Sequence, residues 1–270
     1  MTAQPPIRIG LALGGGFARG IAHAGVLKVF EQHRVPISCI TGVSAGAIVA
    51  AAYASGTPAE DIARTGCSMR LADVARLRAR CLGLVSNDRI DRFLGRLLKA
   101  SRFEDMRIPL GVLATDLLGG GPVCFSGSGE VLDPLRASCA FPGLFEPVRH
   151  DGRVLVDGAM SVAVPAALAR RLGATHVISV AVPPPLPTDA PSNVVQVIGR
   201  CFQILQGHGE ERWRRESDLV ISPNMGGFDW HAFDRGPELI EAGEAAARSV
   251  LPLIDEWLSP AADRPAALVA

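Results

Sequence analysis

Two glycine-rich segments carry the residue types and spacing that can do chemistry in this 270-residue chain. The first segment is Gly42-Val43-Ser44-Ala45-Gly46, a G-x-S-x-G run. It lies between a segment that reads as a strand and an alanine-rich segment that reads as a helix. In that setting the run holds a serine on a sharp strand-to-helix turn, with Gly42 and Gly46 allowing strand and helix to pack closely. The positive end of the helix then favours a developing oxyanion, so Ser44 is the candidate nucleophile for acyl transfer. The second segment, Gly14-Gly15-Gly16-Phe17-Ala18-Arg19-Gly20, ends one strand and opens a helix. Successive backbone N–H groups in such a loop form an anion-binding concavity. Further on, a tight hairpin signalled by Asp151-Gly152 delivers Asp157-Gly158 at its end.

The glycine run has two readings. A dinucleotide site wants G-x-G-x-x-G and an acidic residue at the end of the second strand. Here Arg19 occupies the third glycine position after Gly14 and Gly16, and the second strand offers Ser38, Cys39 and Thr41 but no carboxylate. The other reading is an oxyanion hole, with donors aimed at a tetrahedral intermediate. Arg19 then fixes the loop or attracts a phosphate head group; its plainer role is a surface charge at a helix start.

The familiar α/β-hydrolase owner of such a serine turn fits poorly. That fold places several strands before the turn, and only two strands and a helix fit ahead of Ser44. His150, His176, His208 and His231 have no setting that suits a general base, and His23 reads as a packed residue of the first helix.

The elements that must position these groups alternate. Strands are predicted at Ile7 to Leu13, Ser38 to Thr41, Ile108 to Thr115, Val123 to Ser126, Thr175 to Val182 and Leu219 to Ser222. Helices are predicted at Ile21 to Phe30, after Ser44 to about Ala54, Val131 to Cys139, Pro165 to Leu172, Val194 to Trp213 and Pro237 to Trp257. Pro58 to Ala100 reads as helical with breaks near Gly83 and Ser86-Asn87-Asp88. Pro183 to Pro191 reads as a loop. Such alternation implies a mostly parallel sheet covered on both faces. The expectation is one α/β domain over residues 7–258, with tails at 1–6 and 259–270.

Lys plus Arg and Asp plus Glu both number 27, so the charge gives no sign of a nucleic-acid partner. The six cysteines form no C-x-x-C pair and match no zinc pattern; they read as reduced thiols of a cytoplasmic protein. The N-terminus does not read as a secretory signal, and no apolar run is long enough to span a bilayer, so any membrane contact is peripheral.

The order strand, G-G-G-x-x-R-G, helix, strand, G-x-S-x-G, helix and later D-G-A resembles the patatin-like phospholipases. Ala137-Ser138-Cys139-Ala140-Phe141-Pro142-Gly143-Leu144-Phe145-Glu146-Pro147-Val148 resembles the family's run before its aspartate, and Ala114-Thr115-Asp116 its preceding strand. Asp218 to Leu253 resembles the bacterial branch related to the neuropathy-target-esterase group. The resemblance implies a three-layer α/β/α fold and a Ser–Asp dyad without histidine. Ser44 would be the nucleophile and Asp157 the base, with the backbone of Gly15, Gly16 and Phe17 as oxyanion hole. It implies no metal or cofactor. Asp116 is expected to be structural. The position of Phe17 is often glycine in this family, and phenylalanine fits there if its φ is negative. Val162 and Ala163 replace the Asn and Pro that often follow the aspartate.

The implied reaction is hydrolysis of an acyl ester through an acyl-enzyme, as a phospholipase A or lysophospholipase acting on membrane-derived lipid. Asp157 needs burial to lift its pKa from the ordinary value of about 3.9. Acyl transfer, thioester hydrolysis and silent lipid binding are the alternatives; oligomeric state is not legible. A helical stretch over Leu71 to Leu98, with Arg76, Arg78, Arg80, Arg89, Arg92 and Arg96, reads either as a lipid-surface contact or as a solvated cap.

Overall fold

The β-strands Ile9–Leu13 (β1) and Ile37–Val43 (β2) are apolar and buried almost throughout, as strands covered on both faces must be. The computed structural model describes residues 6–70, 76–80, 83–86, 88–183, 190–192 and 194–259. β1 pairs in parallel with β2 on one side and with His176–Val180 (β10) on the other. β10 pairs in parallel with Leu219–Ile221 (β11), and β2 with Leu110–Asp116 (β5). The far side is antiparallel. There β5 meets Pro122–Ser126 (β6) and Arg153–Asp157 (β9), and β9 meets Val148–His150 (β8). The order is β11-β10-β1-β2-β5-β9-β8, with β6 also on β5. The sheet is thus parallel at its centre, as expected, with an antiparallel flank.

Side chains alternate between two buried faces. Ile9, Leu11, Leu13, Ile40, Ile178 and Val180 join one core. Ala22–Gln32 (α1), Ala45–Ala54 (α2) and Gly236–Leu258 (α9) cover that face. Ala12, Cys39 and Val177 join a second core under Ala166–Arg171 (α6). This alternation makes the molecule three layers. α1 and α9 pack closely: a Cβ at Gly25 would lie 2.1 Å from the Ile240 carbonyl oxygen.

Two stretches depart from the sequence expectation. Residues 58–100 are not helical throughout: Ala59–Ser68 (α3) and Asp88–Leu97 (α4) flank the strands Arg76–Arg80 (β3) and Gly83–Ser86 (β4). β3 and β4 form an antiparallel pair, and β4 pairs in parallel with the short strand Gly143–Phe145 (β7). A helix along 71–98 is therefore excluded at those strands. Residues 71–75, 81–82 and 87 lie outside the described residues, as do the tails at 1–5 and 260–270 and most of the 183–191 loop, at 184–189. The expected helix from Val194 to Trp213 is two, Val194–His208 (α7) and Glu210–Arg214 (α8), broken at Gly209. Leu132–Ser138 (α5) stands as expected.

Candidate active site

β2 ends at Val43, and the chain turns sharply at Ser44 into α2. Ser44 has φ 54 and ψ −127, a strained conformation for a residue with a side chain, and is the N-cap of α2. Such an outlier marks a turn held by its surroundings. A Cβ at Gly42 would sit 2.4 Å from the Gly46 carbonyl oxygen, and one at Gly46 would sit 2.4 Å from that of Leu13. Only glycine lets β1, β2 and α2 approach this closely.

Sheet register brings Asp157 alongside. β2 pairs with β5 as far as Val43↔Leu113, and β9 pairs with β5 from Ala114↔Asp157 onward. β6 runs along Gly111 to Thr115 of the same strand and must occupy its other edge. β9 therefore takes over the edge that β2 leaves, and its last residue, Asp157, lies beside the residue that follows β2, Ser44. Both are buried. The Gly158 turn lies against β5 so tightly that a Cβ there would be 2.1 Å from the Leu113 carbonyl oxygen.

Burial pushes the Asp157 pKa up from 3.8 to about 7, and two donors oppose that rise, the Ala159 N–H and the Ser44 hydroxyl. The Ala159 N–H lies 2.9 Å from Oδ1. Thr115 Oγ1 bonds the Gly158 carbonyl at 3.3 Å and Ser161 Oγ at 2.9 Å, tying the turn to β5.

Sequence reasoning passed over a third group. Ser138, fully buried at the end of α5, accepts the Ser44 N–H at 2.8 Å and donates to the Leu113 carbonyl at 2.8 Å. It ties the serine turn to β5. In the sequence it stood only within the Ala137-to-Val148 run that resembles the family, with no role assigned to it.

The glycine loop lies against the same turn. The Gly14 N–H bonds the Val180 carbonyl at 2.9 Å, and the Gly15 N–H the Ala163 carbonyl at 3.3 Å. Among the described residues, nothing accepts from the N–H of Gly16 or Phe17. Phe17 has φ 51, so the negative angle that would suit phenylalanine there is not met. The left-handed backbone costs a non-glycine residue about 1–2 kcal/mol. Edge-on contacts with Phe141 at 5.1 Å and Trp230 at 5.4 Å hold the ring in place. Phe202 of α7 meets Phe141 at 5.2 Å, extending the aromatic wall.

Arg19 is a buried brace and not a free surface charge. Its Nε donates to the Val182 carbonyl at 3.2 Å. Burial lowers its pKa to about 10, opposed by Asp229. His23 braces the loop from below, with Nε2 2.8 Å from the Gly14 carbonyl oxygen, and burial holds its pKa near 4, so the ring is neutral. Among the described residues, no histidine bonds Ser44 or Asp157. Asp116 Oδ1 accepts the Leu118 N–H at 3.0 Å, a turn contact in line with the structural role expected of it. The Val162-Ala163 segment is held by backbone: the Val162 N–H bonds the Gly158 carbonyl at 3.0 Å, and the Ala163 carbonyl receives Gly15.

A sequence profile of the patatin-like phospholipases matches residues 11–170, more than half of the chain, including the glycine loop, Ser44, Ser138 and Asp157. The chain belongs to the patatin-like phospholipase family. An uncharacterized NTE family protein of Mycobacterium tuberculosis is 34% identical over 163 residues, 59% of this chain and 45% of that one. Patatin-like phospholipase domain-containing protein 6 of Homo sapiens is 30% identical over 181 residues, 64% of this chain and 13% of that one. The chain thus spans less than half the length of these relatives. Among solved structures, VipD from Legionella pneumophila shares the fold at TM-score 0.54 and 13% identity, covering 93% of this chain and 67% of that one. ExoU of Pseudomonas aeruginosa, in complex with SpcU, does so at TM-score 0.50 and 15% identity, covering 95% and 54%. Among the described residues, no helix of this family member is long and apolar enough to cross a membrane.

Proposed function

We propose that the chain is a serine acyl-ester hydrolase of the phospholipase A or lysophospholipase type, with Ser44 as nucleophile and Asp157 as base. The observation that carries this reading is the handover on β5, which sets a buried carboxylate titrating near 7 beside a serine in a strained turn. A carboxylate with that pKa can take a proton at neutral pH and return it, which one at its ordinary value does poorly.

In the first half-reaction Ser44 Oγ attacks the ester carbonyl while Asp157 takes its proton. The C–O bond to the alcohol then breaks, and Asp157 protonates the departing oxygen. In the second half, water gives its proton to Asp157 and attacks the acyl-enzyme, releasing the fatty acid and restoring Ser44. The N–H groups of Gly16 and Phe17 are the donors for the oxyanion; Gly15, the third expected donor, supports the loop through Ala163. Phe17, Phe141, Phe202 and Trp230 supply an apolar wall that suits an acyl chain. A lipid substrate accords with the name of one relative, lysophospholipase NTE1 of Mycosarcoma maydis, 30% identical over 180 residues, 64% of this chain and 9% of that one.

A fluorophosphonate probe tests the reading. The wild type is expected to gain one adduct, mapped by peptide mass to Ser44, and Ser44→Ala none. A wild type that stays unlabelled contradicts it.

A further inference from the structure

Helix α7 is inside out for a helix that faces water. Val194, Val197, Ile198, Ile204 and Leu205 are between 44% and 69% exposed. Their spacing of three and four residues, with a seven-residue step from Val197 to Ile204, aligns them on one face. The opposite face carries Phe202, Gln203 and Gln206, all half-buried. Gln206 Nε2 reaches the Ala159 carbonyl at 3.5 Å, two residues beyond Asp157. Gln203 Oε1 is buried with no partner among the described residues. A helix burying glutamines and exposing five aliphatic side chains needs an apolar cover on its outer side.

From this face we infer a lipid-docking surface that seats the active site on a bilayer or micelle. Three observations choose lipid as the cover. Residues 190–209 contain no Asp or Glu and carry Arg200, so nothing on the helix opposes an anionic head-group layer. The inner face of the same helix forms part of the aromatic wall through Phe202 and reaches the turn after Asp157 through Gln206, so a cover on α7 lies one helix away from the site. A lipid layer there delivers substrate. Leu117 and Leu118 in the β5–β6 turn and Trp230 in the aromatic wall are further exposed apolar side chains. The delivery argument rests on the acyl-ester reading above; the docking surface itself does not.

The test uses the full chain carrying Ser44→Ala, so that vesicles survive. It is sedimented with phosphatidylcholine vesicles containing phosphatidylserine, alone and with Ile198→Asp and Leu205→Asp added. Both added positions are exposed, and an unchanged thermal midpoint checks the fold. The Ser44→Ala chain is expected to sediment with the vesicles, and the added substitutions to weaken that by about tenfold or more. Equal binding by both chains, or none by either, overturns the proposal. So does a molar mass in solution that falls from dimer to monomer with the added substitutions while vesicle binding stays the same, since a second copy would then be the cover. Vesicle binding in a protein whose wild type takes no fluorophosphonate would uphold the docking surface and reject the hydrolase.

Discussion

Asp157 does its proposed work because it is hard to ionise. Its pKa near 7 predicts that kcat/KM on a soluble ester rises through pH 7, and falls about tenfold per unit well below it. A flat profile from pH 5 to 8 contradicts a carboxylate base with that value. The same shift bears on stability. The folded-state pKa lies above the ordinary 3.8, so the protonated carboxyl's contribution is full below 3.8 and is lost as pH rises through 7. Asp157→Asn is therefore expected to melt higher than the wild type at pH 8, with the gap closing near pH 4; a lower melting point at pH 8 contradicts the burial argument. Ser138 is a positioning residue. Ser138→Ala strips the Ser44 N–H of its acceptor, a loss of about 1–3 kcal/mol in stability, and kcat on a soluble ester should fall with KM little changed. An unchanged kcat would show that the serine turn holds itself. Ser44 was legible as chemistry in the sequence, because a nucleophile turn is a local pattern; Asp157 was singled out only by the family resemblance, since an aspartate before glycine is common in turns. Ser138 was not, since its two bonds reach across 94 and 25 positions of chain. The positive φ of Phe17 was also hidden, because the ring contacts that hold it come from Phe141 and Trp230.

At the scale of elements, the site depends on how closely strands and helices meet. Gly46→Ala places a Cβ 2.4 Å from the Leu13 carbonyl oxygen and 2.5 Å from that of Gly14. Backbone cannot yield there as a side chain could, so α2 must move off β1. The expected result is a lower melting point by thermal denaturation, and loss of Ser44 labelling even in the folded fraction. Full labelling would mean that the close approach is not needed. The central strands and their helices could be read from apolar runs bounded by glycine and proline. β3 and β4 could not. Arg76-Leu77-Arg78-Ala79-Arg80 is built of good helix formers, and its strand state depends on pairing with β4 and, through β4, on the distant three-residue β7. The break at Gly209 between α7 and α8 is the weak point of an otherwise helical stretch, visible only as one glycine.

Across the whole molecule, the sheet's change from parallel to antiparallel is what makes the site. The parallel half carries Ser44 and the glycine loop at the C-terminal ends of β2 and β1. The antiparallel flank returns the chain along β9, so that Asp157 ends where β2 stops. Alternation of strands and helices made the layers legible, whereas the run of β9 along β5 was not, because the Asp151-Gly152 hairpin sets β9 only against β8. The most direct measurement is hydrolysis of a short p-nitrophenyl acyl ester by the wild type, Ser44→Ala and Asp157→Asn, each shown to be folded. The account predicts activity in the wild type and a loss of about a thousandfold or more in both variants, as expected when members of one catalytic unit are removed. Activity that survives Asp157→Asn would contradict it and return the role of base to another group.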